Sequence, residues 1–254
     1  MGMHIAVAGK GGTGKTTIAG LVVRHLVGLG RGRVLAVDAD ANMNLNEVLG
    51  LEVHQTIGEI REGMGTSVPA GMTKDAFINY KTQECLIEAD GYDLIVMGRP
   101  EGPGCYCYAN TLCKKYVDEI ADNYAFVVVD NEAGMEHLSR RTTHNMDLMF
   151  TVTDSSTRGI RAAQRIEQLV TEIKLDIGTM ALIVNRLDGE LEAPTKQEID
   201  RLGLTLAGVV PSDPNVYTYD LEGKPTFQLP ADSPASVAVG LILERYLSRE
   251  DLAG

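Results

Sequence analysis

A glycine-rich run near the N-terminus carries the clearest chemical signal in this sequence. Residues 9–16 read Gly-Lys-Gly-Gly-Thr-Gly-Lys-Thr and fit the pattern G-x-x-x-x-G-K-[ST]. The run follows an apolar strand pattern and opens a helical one, so backbone N–H groups and the helix N-terminus would together form an anion site. We expect Lys15 to reach the β- and γ-phosphates of a nucleotide and the Thr16 hydroxyl to bind Mg²⁺. The predicted nucleotide-binding residues of this loop are Gly9, Gly11, Gly12, Thr13, Gly14, Lys15, Thr16 and Thr17.

Carboxylates come directly after two predicted strands. Asp38 and Asp40 follow the apolar run 34–37, and Asp130 follows the run 126–129. Carboxylates at strand ends beside a phosphate loop can hold Mg²⁺ through water or orient an attacking water. Each of them alone also fits a plain turn or cap, since Asp commonly follows strands. Their combination with the glycine-rich loop favours the catalytic interpretation.

Two cysteines separated by a single residue form a second candidate site. Cys105 and Cys107 end the run Gly-Arg-Pro-Glu-Gly-Pro-Gly-Cys-Tyr-Cys, which starts at Gly98 and precedes a predicted helix at 109–121. A helix N-terminus favours thiolates, and thiolates suit Zn²⁺, Ni²⁺ or Cu⁺. Two sulfurs are too few for a closed metal site, but a twofold dimer would supply four. The alternative is a pair of incidental buried cysteines.

Short apolar runs alternate with helical patterns along the whole chain. The runs contain no polar alternation, as is typical of strands buried on both faces. We therefore predict a single α/β domain, residues 1–254, with a doubly wound, mostly parallel sheet whose ligands lie beyond the carboxyl ends of the strands. The predicted strands are 4–8, 34–37, 94–97, 126–129, 148–152, 181–184 and 207–210, and the clearest helices are 16–29, 109–121, 157–173 and 233–247. The Gly-rich stretch 52–76 has only weak periodicity and receives no assignment.

Charge and composition exclude several classes of partner. The net charge is −12, and no basic cluster is longer than Lys114-Lys115 or Arg140-Arg141, so we expect no nucleic acid partner. No apolar window of membrane-spanning length and no signal peptide are present, so we expect a cytoplasmic protein with no membrane partner. In that reducing compartment disulfides are not expected. Cys113 on an apolar helix face and Cys85 in an apolar stretch are predicted to be core residues.

Three segments taken together resemble a known family. They are the loop at 9–17, the run Asp-Asn-Glu-Ala-Gly-Met-Glu-His-Leu at 130–138 and the cysteine run at 98–107. The loop, with its additional Lys10, resembles the deviant Walker A class of P-loop NTPases that includes MinD and ParA. The cysteine run resembles the CooC group, the nickel-insertion accessory ATPases of carbon monoxide dehydrogenase, and the sister AcsF type for acetyl-CoA synthase. The resemblance implies a homodimeric ATPase that uses ATP and Mg²⁺ and delivers Ni²⁺, or binds Zn²⁺, for apo carbon monoxide dehydrogenase or acetyl-CoA synthase.

The resemblance also implies individual roles around the phosphates. Lys10 would reach across the dimer to the nucleotide of the partner subunit, as an arginine finger does. Asp40 would orient the attacking water, with Asp38 in support, and Asp130 would be the Mg²⁺ ligand. Asn44 would contact the magnesium shell or the γ-phosphate.

Further positions would contact the γ-phosphate and the base. Gly134 would bring its N–H to the γ-phosphate within a switch segment, residues 130–141, that ATP orders. Asn185, Pro211 and Asp213 match positions that hold adenine in this family, and the Asn185 amide can pair with the edge of the base.

Two other functions remain open at this stage. An iron–sulfur carrier or reductase of the same fold would also use thiolates shared across a dimer, although its cysteines are usually further apart. A spatial switch of the partition or cell-division type would need a basic surface or a basic amphipathic C-terminal helix. The C-terminal residues 242–250 are instead mixed in charge.

Overall fold

The structure, a computed structural model, describes residues 2–63, 69, 71–99, 106–132 and 146–247. Within these residues, eight strands form one sheet in the order β3-β4-β2-β5-β1-β6-β7-β8, and only the edge strand β3 runs antiparallel to its neighbour. The strands are β1 (Met3–Gly9), β2 (Val34–Ala39), β3 (Leu86–Glu88), β4 (Tyr92–Val96), β5 (Phe126–Asn131), β6 (Met146–Thr153), β7 (Ile177–Asn185) and β8 (Leu206–Val210). The predicted doubly wound, mostly parallel α/β sheet is therefore confirmed.

Helices cover both faces of the sheet. Side chains alternate along each strand, so Ile5 and Val7 of β1 pack into the apolar core on the α1 side, while Ala6 and Ala8 pack into the core on the α5 side. All four side chains are buried, which explains the unbroken apolar runs in the sequence. The described α-helices are α1 (Lys15–Leu29), α2 (Leu45–Leu49), α3 (Ile57–Gly63), α4 (Lys74–Gln83), α5 (Tyr106–Ile120), α6 (Thr157–Glu172), α7 (Ala193–Arg201), α8 (Pro214–Leu221) and α9 (Pro234–Leu243), with 3₁₀ turns at Ala121–Asn123 and Thr226–Gln228.

The stretch at 52–76, which received no assignment, contains α3 and leads into α4. At the start of helix α3, the N–H of Thr56 donates to Glu59 Oε2 at 2.9 Å, which is one half of a capping box. Thr73 caps α4 by accepting from the N–H of Ala76. Weak apolar periodicity hid both short helices, although their cap residues are visible in the sequence.

Several predicted boundaries were wrong. The edge strand β3 was missed because it has three residues, all at least partly exposed, and thus no long apolar run. Helix α5 starts at Tyr106 rather than at 109, so Cys107 belongs to its first turn. Asp38 and Asp130 lie within β2 and β5 rather than after them. Helix α9 ends at Leu243 instead of 247.

Cys85 and Cys113 are buried free thiols in the core on the α5 side. Burial raises the pKa of both thiols to about 12, so each is protonated at neutral pH. The prediction that these two cysteines belong to the core is confirmed.

Candidate functional site

The glycine-rich loop lies at the centre of the carboxyl edge of the sheet. It connects β1, which is flanked by β5 and β6, to α1. Helix α1 starts at Lys15, whose side chain is buried against the loop, while Lys10 is exposed. A cavity of about 850 Å³ opens here, lined in part by Gly12, Lys15 and Thr16. The helix N-terminus and the Lys15 side chain both favour an anion at this end of the cavity.

Two glycines of the loop have no room for a side chain. A Cβ on Gly9 would lie 2.3 Å from the main-chain oxygen of Val152, and one on Gly14 would lie 2.4 Å from Nδ2 of Asn185. Gly14 also has a φ of 87°, which favours glycine. The Thr13 hydroxyl donates to the main-chain oxygen of Lys10 at 2.8 Å, which closes the turn of the loop.

The three predicted carboxylates come together beside the loop. Asp38 and Asp130 are direct partners in the pairing of β2 with β5, and both are buried. Asp38 accepts the N–H of Asp40 at 3.0 Å through Oδ1 and the N–H of Leu45 at 2.9 Å through Oδ2. Asp38 therefore shapes the turn that carries Asp40. Asp40 and Asn44 line the cavity of the loop.

Asp130 has the properties of a cation ligand. Its Oδ1 is buried without a hydrogen-bond partner, while its carboxylate is hydrogen-bonded to Thr16. Burial raises the pKa of Asp130 to about 7, although the bond to Thr16 lowers it, and burial likewise raises the pKa of Asp38 to about 6. A hard divalent cation would satisfy the orphaned oxygen and favour the ionised form, so Thr16 and Asp130 fit a Mg²⁺ site.

A second cavity, of about 520 Å³, continues from the first towards α8. It is lined by Asn185, Pro211 and Asp213, the three residues predicted to contact the base, together with Val216 and Tyr217. The Asn185 amide donates to the main-chain oxygen of Thr13 at 2.8 Å and retains its second N–H and its carbonyl oxygen. The two cavities share part of their walls, including Thr17, so the predicted phosphate-binding and base-contacting residues line adjoining spaces.

Both carboxylate oxygens of Asp213 accept hydrogen bonds from other residues of the chain. Its Oδ1 accepts the N–H of Asn215 at 2.8 Å, and its Oδ2 accepts the hydroxyl of Ser233 and the N–H of Ala235. One carboxylate thus holds the N-termini of both α8 and α9 beside the second cavity. The sequence did not predict this structural role.

Some predicted residues lie outside the described part of the chain. These are Gly134, most of the predicted switch segment and Cys105, and for Cys107 only the backbone is described. Among the residues that the structure does describe, no group of three or more His, Cys, Asp or Glu side chains could hold a metal ion.

Arg186 is a wall residue that sequence reasoning missed. It directly follows Asn185, lines both cavities and donates from Nη1 to the main-chain oxygen of Gly12 at 3.3 Å. The available signal was a cation directly after a buried strand that ends at the carboxyl edge.

A central glycine-rich loop, neighbouring strand-end carboxylates and two adjoining cavities define a P-loop nucleotide-binding protein. Residues 4–227 match the CobQ/CobB/MinD/ParA nucleotide binding domain. Because this match covers most of the chain, the protein belongs to that family.

Relatives with similar sequences extend over nearly the whole chain. The uncharacterized ATP-binding protein MJ0685 of Methanocaldococcus jannaschii is 42% identical, covering 98% of this chain and 100% of the relative. The carbon monoxide dehydrogenase accessory protein CooC of Rhodospirillum rubrum is 31% identical, with 92% of this chain and 91% of the relative covered. The septum site-determining protein MinD of Bacillus subtilis is 28% identical over 97% of this chain and 90% of the relative.

Solved structures share the fold. The MinD cell division protein of Aquifex aeolicus superposes with a TM-score of 0.70 at 25% identity, covering 96% of this chain and 95% of the other. MinD of Pyrococcus horikoshii, solved with Mg-ADP, gives a TM-score of 0.71 at 21% identity, with 96% of each chain covered. In the described residues, no helix is both long enough and apolar enough to cross a membrane.

Proposed function

We propose that this protein is a homodimeric ATPase that takes up nickel at Cys105 and Cys107 of both subunits and delivers it to apo carbon monoxide dehydrogenase or acetyl-CoA synthase. One observation carries the proposal: the nucleotide site and the strand that leads to the cysteine run meet at Asp38. The N–H of Met97, directly before Gly98, donates to the main-chain oxygen of Asp38 at 2.8 Å. The side chain of the same residue binds the N–H of Asp40 in the phosphate cavity.

This arrangement gives a short route between the two sites. A shift of Asp40 towards the γ-phosphate acts on Asp38, which is rigidly held by three hydrogen bonds at 2.8–3.0 Å. Gly98 follows Met97 with a left-handed backbone (φ 66°). It packs so closely against the side chain of Thr56 that a Cβ would not fit there. The nucleotide state can therefore bias the start of the cysteine run through a packed backbone.

The nucleotide half of the proposal assigns ATP as substrate. Lys15 and the loop N–H groups bind its phosphates, Asp40 orients the attacking water, and Lys10 of one subunit reaches the nucleotide of its partner. Bound Mg²⁺, held by Thr16 and Asp130, would neutralise charge on the phosphate oxygens. The exposure of Lys10 supports a role in trans, because its side chain is free to leave its own loop.

The metal half rests on the cysteine run and on the similarity to CooC. The backbone of α5 begins at Tyr106, so Cys107 belongs to the first turn of the helix. A helix N-terminus favours the thiolate form of cysteine. Nickel is the cargo of this cycle, and ATP-driven closure of the dimer would bring four sulfurs together. A client that binds only one nucleotide state would be loaded in step with hydrolysis.

Anaerobic titration with Ni²⁺, with and without a non-hydrolysable ATP analogue, tests the proposal when oligomer mass is measured in parallel. We expect one metal per dimer, bound more tightly with the analogue. Cys105→Ser and Cys107→Ser should each abolish stoichiometric binding. Cys85→Ala, which removes a buried thiol in the core, is the matched control and should retain it.

Three results would contradict the proposal. The first is a chain that stays monomeric with analogue and nickel, and the second is a serine variant that still binds one metal per dimer. The third is nucleotide-dependent sedimentation with vesicles or DNA in the absence of metal binding. This last result would support the spatial-switch function, which fits the MinD relatives.

A further inference from the structure

We infer that Arg186 is a positioning residue of the nucleotide site, which holds the phosphate loop in shape through the carbonyl group of Gly12. This inference rests on the nucleotide half of the proposed function and is independent of its metal half. Three observations support it: a left-handed backbone at Arg186, hydrogen bonds from Asn185 and Arg186 to the loop, and the position of Arg186 in the walls of both cavities.

The backbone of Arg186 is held in an unfavourable conformation. Its φ is 55°, a region that residues with a Cβ rarely adopt. Asn185 before it pairs with Val210 in β8, and the N–H of Leu187 after it donates to the oxygen of the same Val210 at 3.2 Å. Arg186 is thus an extra residue between two anchored neighbours. Strain of this kind persists where the surroundings enforce it, and it concentrates at functional sites.

The turn directs the guanidinium group onto the phosphate loop. Nη1 of Arg186 donates to the oxygen of Gly12 at 3.3 Å, and Nδ2 of Asn185 donates to the oxygen of Thr13 at 2.8 Å. Two consecutive side chains therefore hold two consecutive carbonyl groups of the loop. Nη2 also lies 3.6 Å from the position of a Cβ on Gly14, so the guanidinium group covers this side of the turn.

Holding these oxygens fixes the direction of the N–H groups that follow them. Each peptide unit is planar and trans, so its N–H points away from its C=O. The peptide between Gly12 and Thr13 is held at its oxygen by Arg186 and at its nitrogen by the oxygen of Lys10, at 3.4 Å. The loop is thereby shaped before a nucleotide arrives, which lowers the ordering cost of binding phosphate.

The location of Arg186 indicates that it affects nucleotide binding rather than hydrolysis. Together with Thr17, Val48, Asp220 and Thr226 it lines both cavities, so it stands beside the path between base and phosphates. A residue that shapes the binding loop affects ATP and ADP alike. It does not stabilise charge that develops only during hydrolysis, so it changes affinity more than turnover.

The substitution Arg186→Gly distinguishes the effect of the guanidinium group from the effect of the unfavourable backbone conformation at this position. Glycine adopts the left-handed conformation without penalty, so the variant should melt no lower than the parent. Its affinity for ATP and for ADP should fall about 5- to 20-fold, with kcat at saturating ATP within about threefold of the parent. Arg186→Lys keeps the charge but loses the planar fork, so it should bind with intermediate affinity.

Lys174→Gly is the matched control. Lys174 has the same φ of 55° but follows helix α6 and lines neither cavity. This variant should melt slightly higher than the parent and bind both nucleotides as the parent does.

Isothermal titration with both nucleotides, steady-state hydrolysis and thermal melting distinguish the outcomes. Parent-like affinity in Arg186→Gly overturns the inference, as does a fall in kcat at unchanged affinity, which is the signature of a catalytic arginine. A parent chain that binds neither nucleotide refutes the nucleotide half of the proposed function itself. Reduced affinity with preserved kcat and melting temperature supports the inference.

Discussion

The side-chain amide of Asn185 lies 2.8 Å from the main-chain oxygen of Thr13, although the two residues are 172 positions apart in the chain. This hydrogen bond joins the end of β7 to the phosphate loop that follows β1, across the intervening strand β6. The predicted base-contacting residue and the predicted phosphate-binding loop are therefore parts of one packed unit. Changes at this contact should alter nucleotide binding without touching the fold of the sheet.

Gly14→Ala should cause a large loss of nucleotide affinity. Its Cβ would lie 2.4 Å from Nδ2 of Asn185, and φ there is 87°, so either the loop or Asn185 must move. We expect at least a 100-fold loss of ATP affinity, equivalent to about 3 kcal/mol or more, measured by titration calorimetry. Gly28→Ala is the control, because a Cβ there meets nothing within 4 Å inside helix α1. It should raise the free energy of unfolding by up to about 1 kcal/mol and leave affinity unchanged. Equal affinities in the two variants would contradict the predicted role of the loop.

Asp130→Asn should change how stability depends on pH. Burial raises the pKa of Asp130 from its ordinary value near 3.8 to about 7, so between these two pH values the folded chain holds a proton that the unfolded chain has released. The stability of the nucleotide-free parent therefore falls as pH rises from about 4 to 7. The variant lacks this ionisation, so at pH 8 it should be more stable than the parent by on the order of 1–2 kcal/mol, and near pH 4 the two should match.

Urea unfolding at pH 4, 6 and 8 measures this difference. Asp232→Asn, at an exposed position outside both cavities, is the control and should follow the parent. The same ionisation affects ligand binding in the opposite sense. Because Mg²⁺ needs the carboxylate, the affinity of the parent for Mg-ATP should decline below about pH 7. An Asp130→Asn chain less stable than the parent at pH 8 would show that the charge is compensated in the folded protein.

Asp213→Ala should destabilise the C-terminal part of the fold. The carboxylate accepts from Asn215, Ser233 and Ala235 and so caps two helices. Replacing it should lower the free energy of unfolding by about 2–4 kcal/mol, the sum of two caps. Asp200→Ala, at an exposed position in α7, should cost less than about 0.5 kcal/mol.

The pH dependence of the Asp213 variant provides a second check. Although burial acts to raise it, the hydrogen bonds from the Ser233 hydroxyl and from three backbone N–H groups lower the pKa of Asp213. The stabilisation is therefore present above the ordinary carboxyl pKa and is lost as pH falls through the lowered value. The difference between parent and variant should shrink in acid. A difference that grows as pH falls would contradict this assignment.

Lys10→Ala should separate nucleotide binding from hydrolysis. Lys10 is exposed, so its removal should leave ATP affinity within about threefold of the parent. Loss of a cation supplied in trans should lower kcat by roughly 10³-fold, the range of arginine fingers. Mixing Lys10→Ala chains with Asp40→Ala chains tests the trans geometry. The hybrid dimer has one complete site, so partial activity should return. No recovery on mixing would place Lys10 in its own subunit's site.

The loop at 9–17, the central strands and the acidic residues beside the loop could be predicted from the sequence because each signal is local. A glycine pattern, an apolar run and an Asp at a strand end each depend on a few neighbouring residues. The edge strand β3 and helix α3 were missed for the same reason, since their short segments carry little periodicity. For the cysteine run, the sequence supplied residue types and spacing and the structure adds the start of α5 at Tyr106.

Only the tertiary structure decided which groups Asn185, Arg186 and Asp213 contact. Their partners are the phosphate loop for the first two and the start of α9 for the third, all distant in sequence. The order of the strands in the sheet determines which of these residues come into contact, and local sequence patterns do not encode that order. The sequence by itself determined a nucleotide-binding loop on a parallel sheet. The placement of β7 two strands away from β1, across β6, decided how that loop is held, because hydrogen bonds between distant segments form only when the sheet is assembled.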